Sequence, residues 1–297
     1  VLRYSADQWQ DAKTRLVTVT RSDTVARRTI RRALAVLPVL ALAVTTAGCA
    51  EKVNTGSNTE AGGQITLVEA GKLTTCTHLP YAPFQFTQGD KTVGFDVELV
   101  DLILPLVGAT EQKIFDTPFE GIKSGESLNI GKCDVAAAAM SITPERQAVM
   151  DFSAPYFNAK QALLVKKGSG LDSLEKLRGK KLGVQQGTTG ETYANENKAK
   201  FGYEVVQFED LALEQTAVKT GQVQAGINDD VVLLDFLKAN PDVEVTATFD
   251  TGDNYGIAVK KGNGALLAKV NEALTKAKAD GTYERIYEKW FGKKPTS

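Results

Sequence analysis

The chain alternates short apolar runs with longer segments in which apolar positions recur every three or four residues. "KLTTCT" (72–77), "QKIFD" (112–116), "CDVAAAAM" (133–140), "QALLVKK" (161–167), "KKLGVQQ" (180–186), "YEVVQF" (203–208) and "VQAGIND" (223–229) are short and predict strands. Between them, "FDVELVDLILPLVG" (95–108) predicts a helix that Pro105 ends or kinks. "ALEQTAVKTG" and "VVLLDFLKAN" predict two more, the second stopped by Asn240-Pro241. Later, Leu267, Val270, Leu274 and Ala277 mark one helical face, and "TYERIYEKW" predicts a last helix. Strands alternating with helices imply an α/β fold with parallel sheets. About ten strands in some 230 residues fit two five-stranded lobes better than one sheet, because a single core stops growing near this size.

The N-terminal pattern is different. "ARRTIRRALAVLPVLALAVTTAGCA" has an arginine-rich start, an apolar run over 33–44 and then small residues, so residues 1–48 read as a signal peptide. The run is too short to span a bilayer. Residues 1–20 precede any sensible signal start and read as the product of a start codon placed too early. Cys49 after Ala47-Gly48 resembles a bacterial lipobox, although Thr46 stands where leucine is usual; the expectation is a lipidated Cys49 on the outer face of the cell membrane. The rival is a plain secreted protein cut nearby. The paired arginines leave both the general and the twin-arginine export routes open. Residues 49–65 are polar, contain glycine and lack apolar period, as a flexible tether would.

Composition narrows the function. The chain is 42% hydrophobic and 24% charged, ordinary for a globular protein. Of its 35 basic and 36 acidic residues, 8 and 3 lie in 1–48, which leaves 27 basic and 33 acidic, a net charge near −6. That balance offers no footprint for nucleic acid. With Cys49 reserved for lipid, Cys76 and Cys133 remain as an even pair in an oxidising compartment, either bridged or as two buried thiols. His78 is the single histidine, so a three-ligand zinc site or a histidine-based triad would need unusual partners, and no metal or cofactor is expected.

In α/β sheets ligands bind beyond the carboxyl ends of the strands. The loops there carry His78, Tyr81 and Phe84, then Phe119, then Ser141 and Arg146, then Gln185 with Gly187-Thr188-Thr189, and last Asn228, Asp229 and Asp230. In "AAAAMSITPER" (136–146), Thr143 suits an N-cap and Pro144 the first helical turn, which puts Arg146 third. The helix dipole favours an anion at that place. A cation beside one helix start, hydroxyls and free N–H groups at a second, a carboxylate and aromatic faces together make a receptor for a zwitterion. Each residue also has a structural reading. Arg146 could pair with Glu145 or Asp151, Asp229 or Asp230 could cap the next helix, Tyr81 and Phe119 could be core aromatics, and "GTTG" could be an ordinary turn.

Taken in order, "YAPFQF", "VGFDVEL", "MSITPERQAVMDFSAPYF", "GKKLGVQQGTTGETYANE", "NYGIAVKKGN" and "DGTYERIYEKWFG" resemble family 3 extracellular solute-binding proteins, the amino-acid receptors of ABC importers. The resemblance implies a two-lobed clamshell, the type II periplasmic-binding-protein fold, with two mostly parallel sheets joined by two crossover strands near 157–161 and 251–256. Lobe 1 would comprise 66–158 and 253–297, and lobe 2 would be 159–252. It further implies that Arg146 pairs with the ligand α-carboxylate, assisted by Ser141 and N–H groups around Thr189. Asp229 would accept the α-ammonium, helped by a carbonyl or hydroxyl of Ala139, Met140 or Ser141. Tyr81 and Phe119 would sandwich the ligand and Thr188 would line the second lobe. A monomer delivering an amino acid to an ABC permease is expected.

The chain departs from the family at several places. His78 stands where receptors for cationic amino acids carry aspartate, Gly190 where some members carry glutamine, and Gln224 where aspartate is usual. With the aspartate absent, His78 and Gln185 could donate to an acidic or amide side chain, so Glu, Gln, Asp or Asn is favoured over Lys, Arg or His. Cystine and other polar amino acids are the rivals. Two other functions stand against this reading: an enzyme on the same fold, such as a cyclohexadienyl dehydratase, and a sensor ectodomain, which would require a transmembrane helix and a signalling module.

Overall fold

A computed structural model describes residues 65–295; the predicted signal peptide, the Cys49 expected to carry lipid and most of the expected tether lie outside the described residues. The described chain folds around two five-stranded sheets. The first contains β1 (Lys72–Thr77), β4 (Glu111–Asp116), β5 (Val135–Ala136), β6 (Met150–Phe152) and β12 (Ala258–Lys260), in the order β4-β1-β5-β12-β6. The second contains β7 (Phe157–Lys166), β8 (Lys181–Gln185), β9 (Glu204–Phe208), β10 (Ala225–Asp229) and β11 (Val243–Tyr255), in the order β11-β7-β10-β8-β9. Parallel pairing is confined to three adjacent strands in each sheet, β4-β1-β5 and β10-β8-β9. The remaining strands pair antiparallel because they are the ones by which the chain changes lobe and returns. Two crossings join the lobes: β6 leads into β7, and β11 leads into β12. β7 and β11 stay paired toward the first sheet, with Phe157 opposite Tyr255.

Alternation along the strands explains how both faces of each sheet are covered. In β7, Leu163 and Val165 pack into one apolar cluster and Ala162 and Leu164 into another, as a period of two requires. The first face carries α5 (Thr189–Phe201), which contributes Ala194 and Phe201. The other carries α6 (Leu211–Thr220) and α7 (Asp230–Leu237), through Val218 and Leu233. The first sheet is covered likewise. α2 (Phe119–Lys123) and α3 (Glu126–Asn129) pack with Cys76, Ala136 and Met150. α1 (Phe95–Asp101), α8 (Gly264–Ala279) and α9 (Thr282–Phe291) pack with Leu73, Val135 and Val259.

Three local features differ from the sequence pattern. The alanine run is not one continuous strand: β5 holds only Val135–Ala136, and Ala139 has φ 47°. Side chains displace the ladder there. Thr77 Oγ1 donates to the Ala137 carbonyl at 2.6 Å, and the buried Asp96 carboxylate accepts the Ala139 N–H at 2.7 Å. A second difference is the short hairpin of β2 (Phe86–Gln88) and β3 (Lys91–Val93), whose half-exposed, polar strands carry little apolar signal. As for Pro105, α1 ends four residues before it, and Pro105 sits inside a separate 3-10 turn, Leu104–Leu106. Cys76 and Cys133 are bonded, joining β1 to the segment that enters β5.

Candidate functional site

α4 (Pro144–Val149) begins where "TPER" predicts: the Thr143 hydroxyl accepts the Arg146 N–H at 3.2 Å and Pro144 opens the helix. Its third residue, Arg146, is turned inward and is only 6% exposed. One guanidinium N–H donates to the Ser141 carbonyl at 2.7 Å, and another crosses the cleft to the Gly187 carbonyl at 3.0 Å. The guanidinium carbon lies 5.3 Å from the Phe119 ring centroid, within range of a cation–π contact. Among the described residues Arg146 has no ion-pair partner, and Asp151, one candidate for that role, is held instead by Lys261 at 2.8 Å. Burial lowers its pKa from the ordinary value, with Asp229 and Asp253 opposing that shift. An arginine nonetheless stays charged, so the wall presents a buried cation whose two hydrogen bonds go to neutral carbonyls.

The opposite wall presents a carboxylate. Asp229 ends β10 and stands at the N-cap position of α7, yet its side chain makes no capping bond. Asp230, the first helical residue, accepts the N–H groups of Val231 at 2.9 Å and Lys160 at 3.3 Å. Asp229 Oδ1 accepts from Gln161 Nε2 at 2.5 Å, Oδ2 accepts from the Tyr255 hydroxyl, and the Tyr81 hydroxyl lies 2.7 Å from Oδ2. Burial raises the Asp229 pKa to about 6, opposed by the two tyrosine donors. Asn228 backs this wall, donating to Gln185 Oε1 at 3.3 Å and to the buried Glu214 at 3.1 Å.

The third wall is the start of α5. Thr188 is its N-cap, with its hydroxyl accepting the Glu191 N–H at 3.1 Å and donating to the Gln185 carbonyl at 2.8 Å. Thr189 Oγ1 accepts from Gln161 Nε2 at 3.3 Å and sits 3.5 Å from Ser141 Oγ on the other lobe. The next residue must be small: a Cβ on Gly190 would fall 2.6 Å from Gln161 Oε1 and 3.1 Å from the Ile227 carbonyl. The glycine that departs from the family pattern is thus the one that lets Gln161 reach Asp229.

These walls line one cavity between the lobes. His78, Tyr81, Phe119, Ala139, Ser141 and Arg146 line it from one side, and Gln185, Thr188, Thr189 and Asp229 from the other. Met140 does not. It is fully buried with Cys76, Ile122 and Leu128, and its carbonyl accepts the Gly256 N–H at 3.1 Å, because the bend at Ala139 turns its side chain into the core. Sequence reasoning missed Gln85 and Ala138 in the lining, and Gln161 and Tyr255 behind it. A signal for Gln161 existed: it is an amide set directly before the fully apolar "ALLV" of β7. No group of three or more His, Cys, Asp or Glu positioned to hold a metal occurs among the described residues, and no helix among them is long and apolar enough to cross a membrane.

Comparison with known proteins adds a family and relatives. The model of the bacterial extracellular solute-binding proteins, family 3, matches residues 73–293. The ABC transporter glutamine-binding protein GlnH of Bacillus subtilis (strain 168) is 36% identical over 206 residues, covering 68% of this chain and 74% of that protein. An ancestral arginine-binding protein solved with arginine superimposes with a TM-score of 0.70 at 42% identity, covering 74% of this chain and 98% of that one. An ancestral arginine-binding protein solved with glutamine gives a TM-score of 0.71 at 42% identity, covering 76% of this chain and 100% of that one.

Proposed function

The chain belongs to family 3 of the bacterial extracellular solute-binding proteins, and on that premise we propose that it captures a polar amino acid outside the cytoplasm and hands it to an ABC permease. One observation carries the reading: a buried guanidinium without an ion-pair partner and a buried carboxylate that caps no helix line one cavity, on opposite lobes. Together they match the two charges of an α-amino acid. Arg146 would take the α-carboxylate with its remaining N–H groups, assisted by Ser141 and the first N–H groups of α5. Asp229 would take the α-ammonium, while Tyr81 and Phe119 flank the ligand. Because the two groups stand on opposite lobes, the ligand bonds both of them only in the closed form, and it favours closure by that difference in affinity. The candidate side chains are those of Glu, Gln, Asp and Asn. A lipid on Cys49 would keep the receptor at the membrane. Lobe 1 would comprise 66–158 and 253–297, and lobe 2 would be 159–252. The relatives described above are named for what they bind rather than for a reaction, which favours capture over turnover.

A thermal-shift screen against the amino acids tests this reading. At a hundredfold excess over Kd, the true ligand should raise the midpoint by roughly 5–10 °C. If no amino acid moves it and calorimetry on the same set shows no heat, the reading is lost.

The pKa of Asp229 adds a pH signature. In the empty protein its pKa is raised to about 6, from an ordinary 3.8. This group therefore stabilises the empty fold fully below its unfolded pKa, and that contribution is lost as pH rises through about 6. An ammonium replaces the proton, so binding has the opposite sense. Affinity should be flat above about pH 6 and fall roughly tenfold per unit below it, with proton release on binding. Titrations in buffers of different ionisation enthalpy measure that proton. Uptake instead of release would exclude Asp229 as the ammonium acceptor.

A further inference from the structure

Resting on the amino-acid reading above, we infer that the part of the cavity lined by His78 and Gln85 selects a carboxamide side chain over its carboxylic acid and over a guanidinium. Two main-chain carbonyls set the polarity of this region. His78 Nδ1 lies 3.1 Å from the Thr117 carbonyl, which can only accept, so Nδ1 carries the ring proton and Nε2 of the neutral ring is a bare acceptor. Gln85 Nε2 donates to the His78 carbonyl at 3.3 Å, and the opposite amide orientation would set two oxygens against each other, so Gln85 Oε1 is also an acceptor. Both atoms, His78 Nε2 and Gln85 Oε1, are buried and have no hydrogen-bond partner, and both residues line the cavity.

Buried polar atoms without partners are rare in folded proteins and call for an explanation. Here a ligand supplies one. A carboxamide brings two N–H donors to two waiting acceptors and adds no charge. A carboxylate brings only lone pairs to lone pairs. A guanidinium donates as well, but Asp229 is the single carboxylate lining the cavity among the described residues. It is committed to the ammonium, so a second buried cation would lack a counter-ion. His78 thus acts as an acceptor, the reverse of the donor role its sequence position suggests.

Calorimetry on the untagged protein with glutamine, asparagine, glutamate, aspartate and arginine tests the inference. The preferred amide should bind at least about 100-fold tighter than its acid, and tighter than arginine. An acid within about threefold of its amide, or arginine as the tightest ligand, overturns the selectivity while leaving amino-acid capture intact; binding by none of the five followed by failure of the full amino-acid screen overturns both. In Gln85→Met, the amide-to-acid ratio should fall about tenfold with the empty protein no less stable; an unchanged ratio overturns the role of Gln85. Because the chain has one histidine, ¹⁵N-imidazole labelling reports a single ring. At a pH of about 8 it should show Nδ1 protonated and Nε2 bare, with the Nε2 resonance shifting when the amide binds. A proton on Nε2 would refute the acceptor assignment.

Discussion

Arg146→Ala should weaken amino-acid binding by about 100-fold to 10,000-fold while leaving the empty protein folded. The size follows from what the guanidinium is left to do. Two of its N–H groups are held by the Ser141 and Gly187 carbonyls at 2.7 and 3.0 Å, and three remain for an incoming carboxylate. A hydrogen bond to a charged group contributes roughly 1.5–3 kcal/mol, and a bidentate pair makes two of them. The fold should survive for a separate reason. The helix start depends on the Thr143 hydroxyl and the backbone N–H of residue 146, and alanine keeps that N–H. The substitution also removes a desolvated charge with no ion-pair partner, which offsets the lost carbonyl bonds. Arg146→Lys should recover only part of the affinity, because an ammonium keeps the charge without the planar fork. Calorimetric Kd values, with melting curves of the ligand-free variants, check both halves. An alanine variant that binds within threefold of the parent would return Arg146 to a structural role.

How much of this could be read from residues alone depends on the range of the interaction that sets each feature. Arg146 was legible because Thr143, Pro144 and the cation lie within four positions, and capping is a local rule. Most strands and helices were legible for the same reason. The alanine run misled because its conformation is set by Asp96, 43 residues away, whose carboxylate takes the Ala139 N–H that a ladder would otherwise use. Met140 entered the expected site through the family resemblance, and the structure buries it beside Ile122 and Leu128 instead. Asp229 was preferred to Asp230 through the family resemblance; the residues alone left both as helix caps, and the contacts of Asp229 with Tyr81 and Tyr255 are long-range. The polarity of His78 was hidden for a like reason: the Thr117 carbonyl that fixes its proton belongs to the next strand–helix connection, 39 residues on.

Reducing the Cys76–Cys133 bond should lower the thermal midpoint by roughly 8–16 °C with the folded structure otherwise preserved. The bridge joins residues 57 apart in sequence. A closed loop of that length removes enough freedom from the unfolded chain to stabilise the fold by about 4 kcal/mol in the chain-entropy account. A domain of some 230 residues shifts by about 2–4 °C per kcal/mol. Both cysteines are buried, 0% and 2% exposed, among Phe119, Ile122 and Met150, so reduction requires opening and should be slow in native buffer. Chemical reduction is a better test than substitution, because free thiols keep the side-chain volume, whereas Cys76→Ala with Cys133→Ala adds a cavity to the lost cross-link. The difference between the two midpoints separates those effects. Ligand binding should be retained in the reduced protein well below its midpoint, since neither sulfur lines the cavity. An unchanged midpoint after reduction, with two thiols titrated, would show that the cross-link places no net constraint on the unfolded chain. A bridge that does constrain it suits a protein that works in the oxidising surroundings where its family acts.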